Sequence, residues 1–312
     1  MKSAIKSFAI GLISLLVSQT LIAQTTVAER LGYDKSAKLL ILHADDLGLS
    51  HSVDEASIQA FEASGISSAS IMVPCPWFPE IADYASSHPQ YDFGLHLTLT
   101  AEWKHLKWGG VADAADIPTL LNEQGFMYAS VAEVVEHASA ADVEKELRAQ
   151  IDRALAFGID VTHLDSHMGT LFATPDFFEV YLKLGAEYKI PVFVPMNAAQ
   201  GRPELLALLE GGLIGIDNFY MMGENRSTSE WTPYYTEIIN QMPEGLNLII
   251  IHLALDNEEM QAVAIDHADF GSTWRQNDLN AMLSPDFQSA IKDQGIKLVT
   301  WRQVRELMYG AE

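Results

Sequence analysis

The sequence predicts an α/β fold: an irregular, incomplete TIM-like (β/α) barrel of about seven βα units in a single domain. Three observations carry that prediction. Short aliphatic runs recur, each followed by a segment of helical character, and this alternation builds a mainly parallel sheet. No glycine-rich phosphate loop follows any of these runs, so dinucleotide-binding and P-loop folds lack their fingerprint. Past a leader-like start, about 290 of the 312 residues remain, a length that one α/β barrel uses as a unit.

The elements follow in order. Lys2 and Lys6 precede an apolar stretch from Phe8 to Val17, and Leu21-Ile22-Ala23 stands before Gln24, which is the layout of a secretory signal peptide. The expectation is a leader over residues 1–23 and an exported domain over 24–312, periplasmic or secreted. That apolar stretch is too short to span a bilayer and no later run approaches ~18 apolar residues, so no membrane association is expected after cleavage. Strands are expected at Leu39–His43, Ser70–Val73, Asp92–Thr98, Val161–Leu164, Val192–Val194, Leu246–His252 and Lys297–Thr300. Helices are expected at Val53–Ala63, Phe78–Ser86, Ala141–Ala156, Pro175–Tyr188, Ser229–Gln241, Pro285–Gln294 and Arg302–Met308. Two irregular regions interrupt the alternation. Trp103 to Val131 reads as an insertion of the kind that forms lids or binding walls, and Ala198 to Glu230 as a second. Trp103 and Trp108 in the insertion suit either stacking on a sugar or anchoring the loop.

Composition narrows the partners. The formal charge of −23 repels nucleic acid and anionic lipid and favours a neutral or cationic substrate such as a glycan. A single cysteine, Cys75, excludes an internal disulfide and reads as buried and inert. Oligomeric state is left open by the sequence.

Chemistry gathers at the ends of the strands, where the βα loops of a parallel barrel meet. "LLILHADDLGLSHS" places Asp45 and Asp46 side by side at the end of an aliphatic run, with His43 just ahead. Desolvation and mutual repulsion disfavour such a pair unless a cation lies between them or a turn sends both into water. "DFGLHLTLT" adds His96, "VTHLDSHMG" adds His163, Asp165 and His167, and "NLIIIHLALD" adds His252. Four strands thus deliver carboxylates and imidazoles to one rim. One carboxylate oxygen and two imidazole nitrogens, with open positions for water, make a catalytic site for a divalent metal: zinc foremost, with cobalt, nickel or magnesium also admitted. His163 and His167 lie four apart like a helical metal pair, but "VTHLD" reads as extended and a turn follows, so alternation is not expected to put both on one face and only one is expected to bind the metal. His43 reads as structural.

"LILHADDLGLS", "GLHLTLT" and "THLDSH", in this order and at these separations, resemble the YdjC/ChbG-like carbohydrate deacetylases, relatives of the polysaccharide deacetylases. The resemblance runs from about Leu39 to Leu307. It implies metal binding by Asp46, His96 and His167, and a catalytic pair in which Asp45 is the base. His252 is the candidate acid that protonates the departing amine, and Asp165 a partner that orients an imidazole. Arg275, before Asp278, fits a residue that holds a carboxylate near the site. The implied activity is removal of an acetyl group from an N-acetylated mono- or oligosaccharide. An O-acyl ester hydrolase would use the same ligands. A non-catalytic periplasmic carbohydrate-binding protein is the reading from another class.

Overall fold

The computed structural model describes residues 25–196 and 213–310. The expected leader and residues 198–212 of the second irregular region lie outside the described residues. Within them, seven strands form one parallel sheet: β1 (Lys38–Leu47), β2 (Ser68–Ile71), β3 (Phe93–Leu97), β4 (Val161–Ser166), β5 (Asn218–Met221), β6 (Gly245–His252) and β7 (Lys297–Leu298). The order is β4-β3-β2-β1-β6-β5, with β7 paired to the start of β1. Single bridges Leu164–Val192 and Pro195–Ile216 carry the ring from β4 toward β5, which gives the incomplete TIM-like barrel that the alternation predicts. The helices are α1 (Val27–Arg30), α2 (His51–Glu62), α3 (Phe78–Ser87), α4 (Val131–His137), α5 (Ala140–Ala156), α6 (Pro175–Tyr188), α7 (Thr228–Gln241), α8 (Glu258–Val263), α9 (Ser272–Met282), α10 (Pro285–Asp293) and α11 (Trp301–Tyr309). Several start where a hydroxyl accepts an otherwise unpaired backbone N–H, as Ser50 does for α2, Ser139 for α5 and Thr174 for α6.

Strand alternation sorts side chains into two cores. On β1, Leu40, Leu42 and Ala44 join the large cluster under the helices, whereas Leu39 and Ile41 join a smaller one inside the barrel. That inner cluster also holds Leu246, Leu248, Phe193 and Trp301, and it fills the end of the barrel where the strands begin. Asp92 fixes Trp301 there by accepting the backbone N–H groups of Trp301 and Arg302 at 2.8 and 2.9 Å. Continued along the same inner face, the alternation delivers His43 and Asp45 from β1 and Ile250 and His252 from β6. The inside of the barrel therefore passes from apolar to ionisable toward the strand ends.

Several boundaries differ from expectation. β1 runs to Leu47, so both aspartates belong to the strand. Val192–Val194 narrows to a single bridge at Val192, and the second closing bridge falls just beyond it at Pro195. β5 was not expected: its four residues carry no aliphatic run, and their pairing with β6 supplies what the local pattern lacks. α1, α4, α8 and α9 were also not expected. α9 buries Arg275, Asn277 and Asp278 beside Trp274 and Leu279, so its sequence shows no clean apolar stripe. The Trp103 to Val131 segment is irregular as expected, with one short 3₁₀ turn at Pro118–Leu120. Its Trp103 and Trp108 are buried against Cys75 and Met127, which anchors the loop. Burial also raises the Cys75 thiol well above its usual range. Among the described residues no helix is long and apolar enough to cross a membrane.

Candidate metal centre and active site

Two consecutive residues of a regular strand point to opposite faces, yet Asp45 and Asp46 both reach the inner rim. The backbone resolves the conflict. Asp46 has φ +73°, in the left-handed region, and the pairing of β1 with β2 skips a step between Ala44 and Leu47. Aspartate tolerates this conformation better than most residues. The strand is thereby kinked so that an outward position turns inward.

The Asp46 carboxylate divides its two oxygens. Oδ2 accepts a hydrogen bond from Arg275 Nη2 at 2.7 Å, and Arg275 is itself held by donating from Nε to the Phe270 carbonyl at 2.6 Å. Oδ1 is buried with no hydrogen-bond partner, although His96 Nε2 lies 3.4 Å away and His167 Nδ1 3.3 Å. Each imidazole is oriented by a carboxylate on its far nitrogen. His96 Nδ1 donates to Asp165 Oδ1 at 2.6 Å, and His167 Nε2 to Glu102 Oε2 at 3.1 Å. The lone pairs of His96 Nε2 and His167 Nδ1 are left facing the orphaned oxygen. Such carboxylate–imidazole pairs are the usual support of metal-binding histidines.

These atoms fit a divalent cation. Bonds of about 2.0–2.1 Å in a tetrahedral shell place neighbouring donors about 3.3–3.4 Å apart, and the two separations from Asp46 Oδ1 have that length. The donor atoms of all three residues lie within 4.8 Å of one another. Asp45, His96 and Asp165, and likewise His43, His163 and Asp165, also cluster closely. In both of those sets the Asp165 oxygens are already engaged, Oδ1 by His96 and Oδ2 by His43 at 2.8 Å. Among the described residues, the set around Asp46 is the one of the three in which a fully buried carboxylate oxygen without a hydrogen-bond partner faces two carboxylate-oriented imidazoles.

Electrostatics favours positive charge at this point. Burial opposes ionisation of Asp46, but Arg275 and then His167 hold its carboxyl well below the usual range. Burial lowers the basicity of His167 as well, yet Glu102 and Asp46 overcome it and lift its pKa to about 10. His96 is raised in the same way, against burial, by Asp45 and Asp165. The surrounding carboxylates therefore favour positive charge at both imidazoles, and a metal ion on the same nitrogens would supply it in place of a proton.

Asp45 stands apart from this set. Its Oδ1 lies 3.0 Å from His43 Nε2 and accepts from Ser70 Oγ at 3.4 Å. Its Oδ2 lies 3.7 Å from His96 Nε2 and 3.9 Å from His252 Nε2. His43 also reaches Asp165, and its buried ring, disfavoured as a cation by burial, is raised to about 10 by Asp165 and Asp45. As a buried hydrogen-bonding residue it joins Asp45 to the residue that orients His96. His252 faces the same space beside Phe270, and burial lowers its pKa to about 4, so it is neutral near pH 7.

His163, Asp165 and His167 lie on one face after all, in three layers. His163 is deepest, stacked on Trp301 at 5.0 Å, and a Cβ at Gly94 would fall 2.3 Å from its Cε1. Only His167 reaches Asp46, so one histidine of the pair is placed to bind. Arg275 holds a carboxylate, that of Asp46, in keeping with the family-like pattern. Glu102 was not singled out in the sequence: it stands in an irregular loop with no motif spacing around it. Above these groups opens a cavity of about 500 Å³, walled by Asp45, His252 and Trp103 on one side and by Phe193, Phe219 and Met221 on another.

Comparison with known proteins gives concordant matches. The family of YdjC-like proteins matches residues 39–293. A carbohydrate deacetylase of Thermus thermophilus is 31% identical over 291 residues, covering 90% of this chain and 98% of that one. A carbohydrate deacetylase of Geobacillus stearothermophilus is 27% identical over 271 residues, covering 86% and 98%. Among solved structures, an Enterococcus faecalis protein assigned to cellobiose-phosphate cleavage superposes with a TM-score of 0.72 at 22% identity, covering 86% of this chain and 99% of that one, which establishes the shared fold.

Proposed function

The chain belongs to the YdjC-like family, and from that premise we propose that it is a metal-dependent carbohydrate deacetylase acting on an N-acetylated mono- or oligosaccharide. The observation that carries the reading is the buried, unpartnered Asp46 Oδ1 facing two carboxylate-oriented imidazoles. Asp46, His96 and His167 hold the cation; two nitrogens and one oxygen suit zinc first, with cobalt and nickel close and magnesium less so. When bound, the ion supplies Lewis acidity to an acyl carbonyl and lowers the pKa of water at the site.

The remaining chemistry belongs to side chains of this chain. His43 and Ser70 engage Asp45 Oδ1, which leaves Oδ2 free toward the cavity. Asp45 Oδ2 accepts a proton as the water oxygen adds to the acyl carbon. Neutral His252, 3.9 Å away, can take up that proton and return it to the nitrogen as the amide C–N bond breaks. The products are acetate and a free amino sugar. An O-acetyl ester would break by the same steps at a C–O bond. The unbroken set of Asp45, His43 and His252 favours an enzyme over a non-catalytic sugar-binding protein. The leader-like residues 1–23 extend the proposal to an exported mature chain starting near Gln24, to be checked by N-terminal sequencing of protein recovered outside the cytoplasm.

The purified chain is expected to release acetate from N-acetylglucosamine oligomers, to stop with chelator and to resume with zinc. Asp45→Asn is expected to keep metal binding and lose turnover. Full turnover in His96→Ala would overturn the site assignment.

A further inference from the structure

The wall of the cavity opposite the metal ligands is more apolar than a sugar requires. Parallel pairing sets Phe219 of β5 beside Leu248 of β6, and Met221 beside Ile250. Leu248 packs in the inner core and Ile250 against it, so Phe219 and Met221 also face the inside of the barrel. Inward side chains of a closed (β/α) barrel normally fill it in packed layers. Here Phe219 and Met221 remain 38% and 37% exposed, while the adjoining Phe193 ring, 6.0 Å from Phe219, is 8% exposed. The inside of the barrel is thus hollow beside Asp45 and His252, and the hollow is lined by large apolar groups.

The polar side chains among the described lining residues lie with the metal-ligand set, where several are already paired and Asp45 Oδ2 and His252 Nε2 stay open beside the scissile amide. Asp46 is taken by Arg275, His96 by Asp165 and His167 by Glu102; Ser166 Oγ accepts the Leu171 N–H at 3.0 Å. A sugar ring pressed against Phe193, Phe219 and Met221 would bury hydroxyls with no partner there, an unfavourable exchange. A hydrocarbon chain meets no such penalty and gains from each buried methylene.

The geometry points to an acyl group larger than acetyl as the occupant of this hollow, so that the enzyme acts on sugars N-acylated with an aliphatic chain. The inference rests on the deacylase reading above and extends it. The chemistry is unchanged: water supplies the oxygen, the amide C–N bond breaks, the amine nitrogen takes the proton, and a longer carboxylate leaves.

The test uses the zinc-loaded full chain with glucosamine N-acylated by acetyl, butanoyl, hexanoyl and octanoyl groups, and measures both turnover and calorimetric binding. Full burial gives about fourfold in kcat/KM per added methylene, so butanoyl is expected to exceed acetyl by about tenfold or somewhat more. Binding is expected to tighten in the same order. Phe219→Asn and Met221→Asn, at partly exposed positions, are each expected to reduce the hexanoyl-to-acetyl ratio by at least several-fold. Acetyl as the best substrate, with rate and affinity falling as the chain lengthens, would overturn the inference and indicate that the aromatic wall stacks on the sugar. Absence of turnover with every member would overturn the deacylase reading instead, and the binding series would then judge the hollow by itself.

Discussion

Asp165→Asn is the substitution that separates orientation of the metal ligands from mere packing. Asp165 uses both oxygens, one for His96 Nδ1 at 2.6 Å and one for His43 Nε2 at 2.8 Å. Its ionised form is favoured against burial by His96, then His163 and His43, which hold its carboxyl well below the usual range. An asparagine of the same shape offers one acceptor and one donor, so one of the two imidazole N–H groups must face an NH₂ group. Whichever way the amide turns, His96 loses its anionic partner and becomes a weaker ligand. Loss of an oriented carboxylate behind a metal-binding histidine costs about 10- to 100-fold in affinity, or about 1.4–2.8 kcal/mol. Calorimetric titration of metal-free protein with zinc, with a competing chelator to bring tight binding into range, reads this directly. Removing one member of a buried charge cluster also costs about 3–5 kcal/mol of stability, so thermal unfolding of both proteins is recorded in parallel. A folded Asp165→Asn protein that binds zinc within twofold of the parent would refute the orientation argument.

Three further outcomes follow from the same reasoning. Glu102→Gln keeps an acceptor for His167 Nε2 but removes the charge, and is expected to weaken zinc by about tenfold in the same titration, while Glu80→Gln, far from the donor set, leaves it unchanged. Gly94→Ala drives a methyl group into the His163 ring 2.3 Å away and is expected to destabilise by about 1–3 kcal/mol in denaturant melts; an unchanged midpoint would contradict the layered packing. Burial disfavours ionised Asp160, but hydrogen bonds from Arg305 (2.6 Å) and Arg302 lower its pKa, so its contribution to stability is present above the unfolded carboxylate value and fades as pH falls through it toward the folded one. The melting-temperature gap between the parent and Asp160→Asn should accordingly be open at pH 7 and narrow below about pH 4; a gap that widens in acid would reverse the assigned sign.

Much of this arrangement was legible in the sequence because alternation is a local property. The odd positions of "LLILHADDL", Leu39, Ile41, His43 and Asp45, announce an inner face that changes from apolar to charged, and β6 repeats it with Leu246, Leu248, Ile250 and His252. The reading of Asp46 as a ligand rests on the resemblance alone, since its inward turn depends on a left-handed backbone that alternation by itself forbids. At His163 and His167 alternation carries through the strand end, so the two share a face at different depths. The placement of Glu102 and the partners of His43 were not legible. One lies in an irregular loop positioned by the buried Trp103 and Trp108, and the other reaches Asp165, 122 residues away in sequence. β5 was missed for a related reason: its register is set by β6, and its inward Phe219 and Met221 lack the neighbours that mark a packed strand.

Anomalous diffraction from crystals of the zinc-loaded chain, recorded on both sides of the zinc absorption edge, tests the central claim most directly. The account predicts one dominant peak, bonded to Asp46 Oδ1, His96 Nε2 and His167 Nδ1, with Asp45 beside it and not coordinated. Ordered Asp46, His96 and His167 side chains with no peak among them, or a peak held by Asp165 and His43 instead, would contradict it.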